Sequence, residues 1–341
     1  MTVFKINLFS FWLILLGFSV CIIILIGGYT RISDSGLSIT QWQPISGILF
    51  PLSEAEWINE FSKYKKIDEF LLVNRNMTVA EFKVIYFWEW FHRAFARFIG
   101  ILFILPFLIF FFYKKIPSSL TSNIYLIGFL LFIQAVVGWY MVKSGLVDRV
   151  DVSHYRLSIH LINAFIILGV IIFTFVQYEA KFKMNSLKRV KSSLRIFTLL
   201  LSFQIFYGAF VSGTHAGLTV NTWPTFNGSL IPQEAFELSP WVYNLIENKT
   251  FIIFFHRTFA FVLLIYLIII DFKLVKIGLS KYNVILLVVL NISFFLQIIL
   301  GIWMTIENIP WYVALTHQGN SILLFSITIY YLSLSIIKNR N

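Results

Sequence analysis

The sequence contains a single cysteine among its 341 residues, Cys21. One thiol cannot form an intrachain disulfide, and it cannot build a cluster of cysteine ligands for zinc or iron. Cys21 lies inside a long apolar run, where a thiol serves as a small packing residue. The sequence therefore excludes a disulfide-framed domain and a cysteine-based metal centre.

Charged residues are also scarce, at 13% of the chain against 58% hydrophobic residues, and the mean hydropathy is +0.81. A soluble domain carries about 25% charged residues, so this composition excludes a soluble protein and predicts an all-α integral membrane protein. A bilayer core of roughly 30 Å needs about 20 apolar residues of helix, and eight stretches are long enough. The predicted transmembrane helices are 9–29, 83–112, 121–142, 153–177, 193–212, 250–271, 281–304 and 310–337.

The net charge of +11 does not indicate nucleic-acid binding, because the basic residues cluster in short connectors between spans. Such clusters mark the cytoplasmic side of a membrane protein. They fall in alternate connectors and near both ends of the chain, which predicts that both termini are cytoplasmic and that the longer loops face outward. These sites are Lys114 and Lys115, the segment 178–195, Lys273 to Lys281, and Lys5, Lys338 and Arg340.

The sequence contains an internal repeat. Each half begins on the predicted cytoplasmic side and holds four spans, so the sequence predicts two tandem, parallel, pseudo-symmetric four-helix bundles. The predicted units are an N-terminal bundle 1–177 with an outer loop 30–82, a basic linker 178–192, and a C-terminal bundle 193–341. The matching pieces are "SDSGLSITQWQPISG" (33–47) with "GTHAGLTVNTWPTFNG" (213–228), "WFHRAFA" (90–96) with "FFHRTFA" (254–260), and "QAVVGWYM" (134–141) with "QIILGIWM" (297–304).

Four of the six histidines fall inside predicted spans, one on the second and one on the fourth span of each half, at similar depths. A single such histidine can be a structural hydrogen-bonding residue, but two matched pairs favour metal binding. Zinc needs four ligands, and neither half offers a third histidine or a cysteine, so two axial imidazoles on a heme fit better. His154 is expected to be a solvated interface residue and His215 a structural loop residue. The paired histidines are His92 with His160, and His256 with His317.

The halves differ beside the first histidine of each pair. Glu89 precedes His92 by three residues and shares its helix face, whereas the repeat places Ile253 at the equivalent position. Glu89 can move protons at a reacting group, or it can form a structural ion pair with Arg93 one turn away. Because Arg257 matches Arg93 without an acid beside it, both arginines are predicted partners for heme carboxylates.

Several longer motifs resemble the heme A synthase family, in its cysteine-free proteobacterial and mitochondrial branch, over essentially all eight spans. Other bacterial members carry a cysteine pair in the first outer loop, which this chain lacks, so a redox role for loop cysteines cannot apply. The matching motifs are "GGYTRISDSGLSITQWQPISG" (27–47), "EFKVIYFWEWFHRAFARFIG" (81–100), "VSHYRLSIHL" (152–161), "AGLTVNTWP" (216–224), "FFHRTFA" (254–260) and "ALTHQGNSI" (314–322).

The resemblance implies an oxidoreductase acting on a CH group. It would oxidise the C8 methyl of heme O, through hydroxylated intermediates, to the formyl group of heme A for cytochrome oxidase. By family, His92 and His160 would hold the iron of the substrate heme, His256 and His317 that of a resident heme b, and Glu89 would be the essential acid.

The resemblance also implies a bacterial inner membrane location and partners. These are a heme O synthase as supplier, cytochrome oxidase assembly as destination, and a quinone or ferredoxin-type electron partner. Contact with membrane lipid is expected, nucleic acid is not, and a homo-oligomer is left open.

Two other functions are compatible with paired heme sites. One is a two-heme membrane cytochrome for quinol-linked electron transfer, and the other is a heme transporter or chaperone. Neither changes the heme, and neither needs a carboxylate in one half alone. The contrast between Glu89 and Ile253 therefore favours an enzyme.

Overall fold

The computed structural model describes residues 7–43, 46–147, 149–179 and 185–336, and the helices within these ranges account for the whole architecture. No β-strand occurs among the described residues, apart from an isolated bridge between Phe226 and Ser229. The helices are α1 Leu8–Ile32, α2 Glu54–Tyr64, α3 Asp68–Leu72, α4 Val79–Phe112, α5 Thr121–Gly145, α6 His154–Glu179, α7 Lys191–Gly213, α8 Lys249–Lys276, α9 Lys281–Ile306 and α10 Trp311–Ile336.

Eight of these helices, all except the short α2 and α3, are long and apolar enough to cross a membrane. The all-α class and the eight predicted spans are confirmed. Among the helix bounds the largest difference is at the end of α8, which runs to Lys276 instead of 271. Helix α4 begins four residues earlier than expected, at Val79, because Thr78 and Glu81 form a capping box there. Some of the basic residues used to predict topology lie outside the described residues, namely Lys5, Lys181, Lys183, Lys338 and Arg340.

The helix packing has the same order in both halves of the chain. In the first half α1 packs on α4 and α6, and α5 packs on α6, while α4 and α5 touch only slightly. In the second half α7 packs on α8 and α10, and α9 packs on α10, while α8 and α9 touch only slightly. This repetition is consistent with two tandem pseudo-symmetric bundles. The exact domain boundaries stay a prediction.

The two halves are joined through a continuous apolar core. Helices α6 and α10 pack directly against each other, and the α6–α7 and α1–α10 contacts flank them. At the centre the rings of Phe165 and Phe325 meet edge to face at 5.2 Å, and Gly169 lets Phe325 approach the backbone of α6. The histidine-bearing helices α6 and α10 are therefore held in a common frame.

Helices α2 and α3 form a cap against the beginning of α4, called the outer cap because it belongs to the predicted outer loop 30–82. The cap has its own aromatic core, and α2 is started by a capping box between Ser53 and Glu56. Packing of this core fixes the cap beside the end of α4 that carries Glu89. The core residues are Trp57, Phe61, Tyr64, Phe70, Phe82 and Tyr86.

Candidate functional site

The N-terminal histidine pair lies between all four long helices of its half. His92 projects from α4 and His160 from α6, and His160 is an electrostatic neighbour of His92. Each imidazole rests on a glycine of a neighbouring helix. A Cβ on Gly27 of α1 would come within 3.0 Å of His92 Cε1, and one on Gly138 of α5 within 2.9 Å of His160 Cε1. Any larger residue would displace the rings.

The C-terminal pair repeats this geometry. His256 on α8 faces Gly208 of α7, where a Cβ would lie 3.2 Å from the imidazole Cε1. His317 on α10 faces Gly301 of α9 at 3.5 Å. Gly208 and Gly301 are the repeat equivalents of the two glycines in the first half, so both sites have the same ring-on-glycine construction.

A pair of amide side chains lies beside His160 and binds its backbone. The Nε2 of Gln134 donates to the backbone carbonyl of His160 at 3.1 Å, and Asn163 donates to Gln134 Oε1 at 2.6 Å. The same amide pair recurs in the second half, where Asn320 donates to Gln297 Oε1 at 2.7 Å. Both glutamines lie within the repeat motifs, but nothing in the sequence assigns them a role.

The surroundings limit what the histidine pairs can bind. The Nδ1 atom of each of the four imidazoles is buried and has no hydrogen-bond partner. Among the described residues, none of the four belongs to a group of three or more histidine, cysteine, aspartate or glutamate ligands. A zinc site needs such a group, whereas heme iron needs only two axial ligands from the protein. Paired imidazoles whose Nδ1 atoms are unpartnered, packed over glycine-lined walls, therefore suit a flat heme.

Glu89 is buried one helical turn before His92, with 3% of its surface exposed. Its Oε1 lies 2.5 Å from Nη2 of Arg93, and its Oε2 accepts from Ser38 Oγ at 2.7 Å and from the Ile39 N–H at 2.6 Å. The structure therefore contains the Glu89–Arg93 ion pair that the sequence offered as one alternative. These donors hold the carboxylate in one orientation beside the histidine.

The two matched arginines anchor equivalent outer loops. Arg93 donates to the carbonyls of Ile39 at 3.1 Å and Gln41 at 3.3 Å. Arg257 donates to the carbonyls of Val220 at 3.2 Å and Thr222 at 3.1 Å, which are the repeat-equivalent positions. The arginine is therefore needed in both halves with or without an acid. Contact of either arginine with a heme carboxylate stays a prediction.

Comparisons with known proteins identify the family of this chain. The family model COX15-CtaA, described as "Cytochrome oxidase assembly protein", matches residues 10–329. The chain belongs to this family. It is similar to proteins named heme A synthase from Wolbachia pipientis wMel (39% identical over 95% of this chain and 91% of the relative) and from Wolbachia pipientis subsp. Culex pipiens strain wPip (40% over 94% and 96%). It is also similar to the heme A synthase of Brucella ovis (37% over 92% and 87%).

The two remaining histidines of this family member lie at the outer junction of its halves. His154 was expected to be solvated, but it is 5% exposed, because it packs beside Gly213 and its Nε2 lies 3.0 Å from the Ile246 carbonyl oxygen. His215 contacts Asp151 at 3.0 Å and Arg31 at 2.7 Å, in keeping with its expected structural role.

Arg31 ties this outer junction together. Its guanidinium binds Asp151 at 2.9 Å, Asp34 at 3.1 Å and the Ser212 carbonyl at 3.0 Å. It therefore supplies the positive charge beside the two carboxylates, and it links the end of α1 to the end of α7.

Proposed function

We propose that this protein is a heme A synthase, an oxidoreductase that converts heme O to heme A. Membership of the family and relatives of that name over nearly the whole chain support the function. The observation that carries the chemical interpretation is the asymmetry of the histidine sites: Glu89 stands beside His92, and Ile253 takes its place beside His256.

The asymmetry also supports a division of labour between the halves. His92 and His160 hold the iron of heme O, the substrate, in the half that contains the acid. His256 and His317 hold a resident heme b, whose carboxylates are met by Arg257. Heme b supplies one-electron transfer when it is bound.

The residues around the substrate site orient it and handle protons. Glu89 accepts protons from the substrate at its C8 methyl group, and Ser38, Ile39 and Arg93 keep its carboxylate pointed at one place. Arg93 and Arg97 also line a polar cavity of about 160 Å³ beneath the outer cap. Their positive charge suits the two propionates of the substrate.

The proposed course is stepwise and acts at the CH bonds. In each oxidation a methyl-derived C–H bond breaks and a C–O bond to water forms, which releases two electrons and two protons. The first step gives a hydroxymethyl group. The second gives a geminal diol, which loses water to leave the formyl group. The electrons pass to a quinone or a ferredoxin-type acceptor, and Glu89 takes the protons.

The cellular setting follows from the same proposal. The protein lies in the bacterial inner membrane with both termini in the cytoplasm, receives heme O from a heme O synthase, and supplies cytochrome oxidase assembly. A homo-oligomer is compatible with this setting, because assembly of two copies would leave the heme sites inside each chain.

The test is to express the chain together with a heme O synthase in a host that makes no heme A, and to identify the extracted hemes by mass spectrometry. Cells with the synthase alone are the control. Heme A only in cells that contain both proteins supports the proposal. Heme O recovered unaltered would contradict it and would favour the two-heme cytochrome or the heme carrier.

A further inference from the structure

Besides Glu89, the acid Glu69 is also buried. It lies in the outer cap, and the proposed oxidation does not use it. It projects from the short helix α3 and is only 5% exposed. Its Oε2 is buried without a hydrogen-bond partner, and its other contact is a hydrogen bond with the Tyr64 side chain. A buried acid without a basic partner is uncommon, because the charged form is costly away from water.

Glu69 is an electrostatic neighbour of Glu89 and of two acids at the outer junction. Its carboxyl interacts with Glu89 and, more weakly, with Asp34 and Asp151. Burial, followed by the charge of Glu89, raises the pKa of Glu69 from 4.5 to about 8. A carboxyl with this pKa exchanges its proton readily near neutral pH.

A cavity of about 460 Å³ lies beside α3 on the side of the predicted outer loops. Asp68 and Leu72, which flank Glu69 on α3, line the cavity together with Asp151 and His215. Glu69 and Leu72 are three residues apart and lie on the same side of α3, so Glu69 lies beside the residues that line the cavity. Asp151 is thus both a wall of the cavity and an electrostatic neighbour of Glu69.

We propose that Glu69 relays protons from Glu89 to this outer cavity during the oxidation of heme O. Glu69 releases its carboxyl proton to water in the cavity beside Asp151 and takes the next proton from Glu89, through water where the two carboxyls do not touch. One proton leaves the site, and both carboxyls return to their starting states. The relay rests on the proposed function, because that reaction supplies the protons.

The direct test compares Glu69→Gln, which keeps the shape but cannot carry a proton, with Glu54→Gln, the same change on the exposed surface of the cap. Co-expression with a heme O synthase gives the rate of heme A formation and the bound heme per protein. We expect Glu69→Gln to lower the rate at least about tenfold with bound heme unchanged. Glu54→Gln should match the wild type.

Two further readouts separate a relay from a structural role. The infrared band of a protonated carboxyl should be present at neutral pH in the wild type and in Glu54→Gln, and be lost in Glu69→Gln. The wild-type rate should rise as pH passes through about 8, because ionised Glu69 accepts a proton at once, and this rise should be absent in Glu69→Gln.

A wild-type rate in Glu69→Gln, or a loss of rate that only follows a loss of bound heme, would overturn the relay and leave the proposed function intact. Absence of heme A with the wild type would overturn both.

Discussion

The Glu89 carboxylate and the Arg93 guanidinium form an ion pair at 2.5 Å, one helical turn apart on α4. Arg257 binds the equivalent outer loop in the second half with Ile253 at the position of the acid. The arginine–loop anchor is therefore common to both halves, and the acid is an addition to one of them. Glu89 is therefore a chemical difference between the halves beside the first histidine of the pair.

The ion pair predicts unequal effects of removing the two arginines. Arg93→Ala leaves the carboxylate of Glu89 buried without its partner, which costs about 3–5 kcal/mol. Arg257→Ala leaves only neutral acceptors unpaired, at about 1–3 kcal/mol. Thermal unfolding of the detergent-solubilised protein should therefore show the larger loss for Arg93→Ala, and adding Glu89→Gln should restore part of it. Equal losses without restoration would contradict the pairing.

The glycines under the imidazoles predict a specific spectroscopic defect. Gly138→Ala would place a Cβ 2.9 Å from His160 Cε1, and Gly27→Ala one 3.0 Å from His92 Cε1, so each ring must move. We expect an altered low-spin heme signal in electron paramagnetic resonance and less bound heme. Gly100→Ala is the matched control, because no atom lies within 4 Å of its Cβ position. The same spectrum in all three variants would argue against these heme positions.

The division of labour predicts which heme each histidine retains. His256→Ala should lose heme b and keep heme O or its products, whereas His92→Ala should lose the substrate heme and keep heme b. The hemes extracted from each purified variant can be counted by mass spectrometry. Loss of the opposite heme in each variant would reverse the assignment of the halves.

Glu69 predicts a dependence of stability on pH. Its pKa is about 8 in the folded protein and near 4.5 in the unfolded chain, so the folded state holds a proton that the unfolded state releases between these values. Stability of the wild type therefore falls as pH rises through this window, by up to about 1.4 kcal/mol per pH unit. Glu69→Gln removes this fall in stability, because the glutamine side chain does not titrate.

Melting temperatures of the wild type and of Glu69→Gln, measured from pH 5 to pH 8, check this prediction. The melting temperature of Glu69→Gln should rise relative to that of the wild type as pH increases. A constant difference across the range would contradict a raised pKa.

The fold was predictable because long apolar runs alone indicate membrane-spanning helices. Eight such runs correspond to eight helices in the structure, whose ends differ from the prediction by a few residues. The paired histidines were predictable as candidates because the repeat places one on each of α4, α6, α8 and α10. Periodicity and duplication are local signals, and no tertiary information was needed to see them.

Other features depended on tertiary packing. Gly27 and Gly208 carry no chemical signal in the sequence, and only the approach of α1 to α4 and of α7 to α8 brings them to the imidazoles. Glu69 carries no signal in the sequence that separates it from the other acids of the outer loop, because only the packing of the cap buries it. His154 was wrongly expected to be solvated, because the loop that covers it comes from the other half of the chain.

The most direct test of the account is the heme composition of purified wild type and Glu89→Gln, each expressed with a heme O synthase and analysed by mass spectrometry. We expect heme b with heme A from the wild type. From Glu89→Gln we expect heme b with heme O or its hydroxylated form, at an unchanged total of heme per protein. Heme A at the wild-type level in Glu89→Gln would contradict the claim that this acid distinguishes the reacting half from the other.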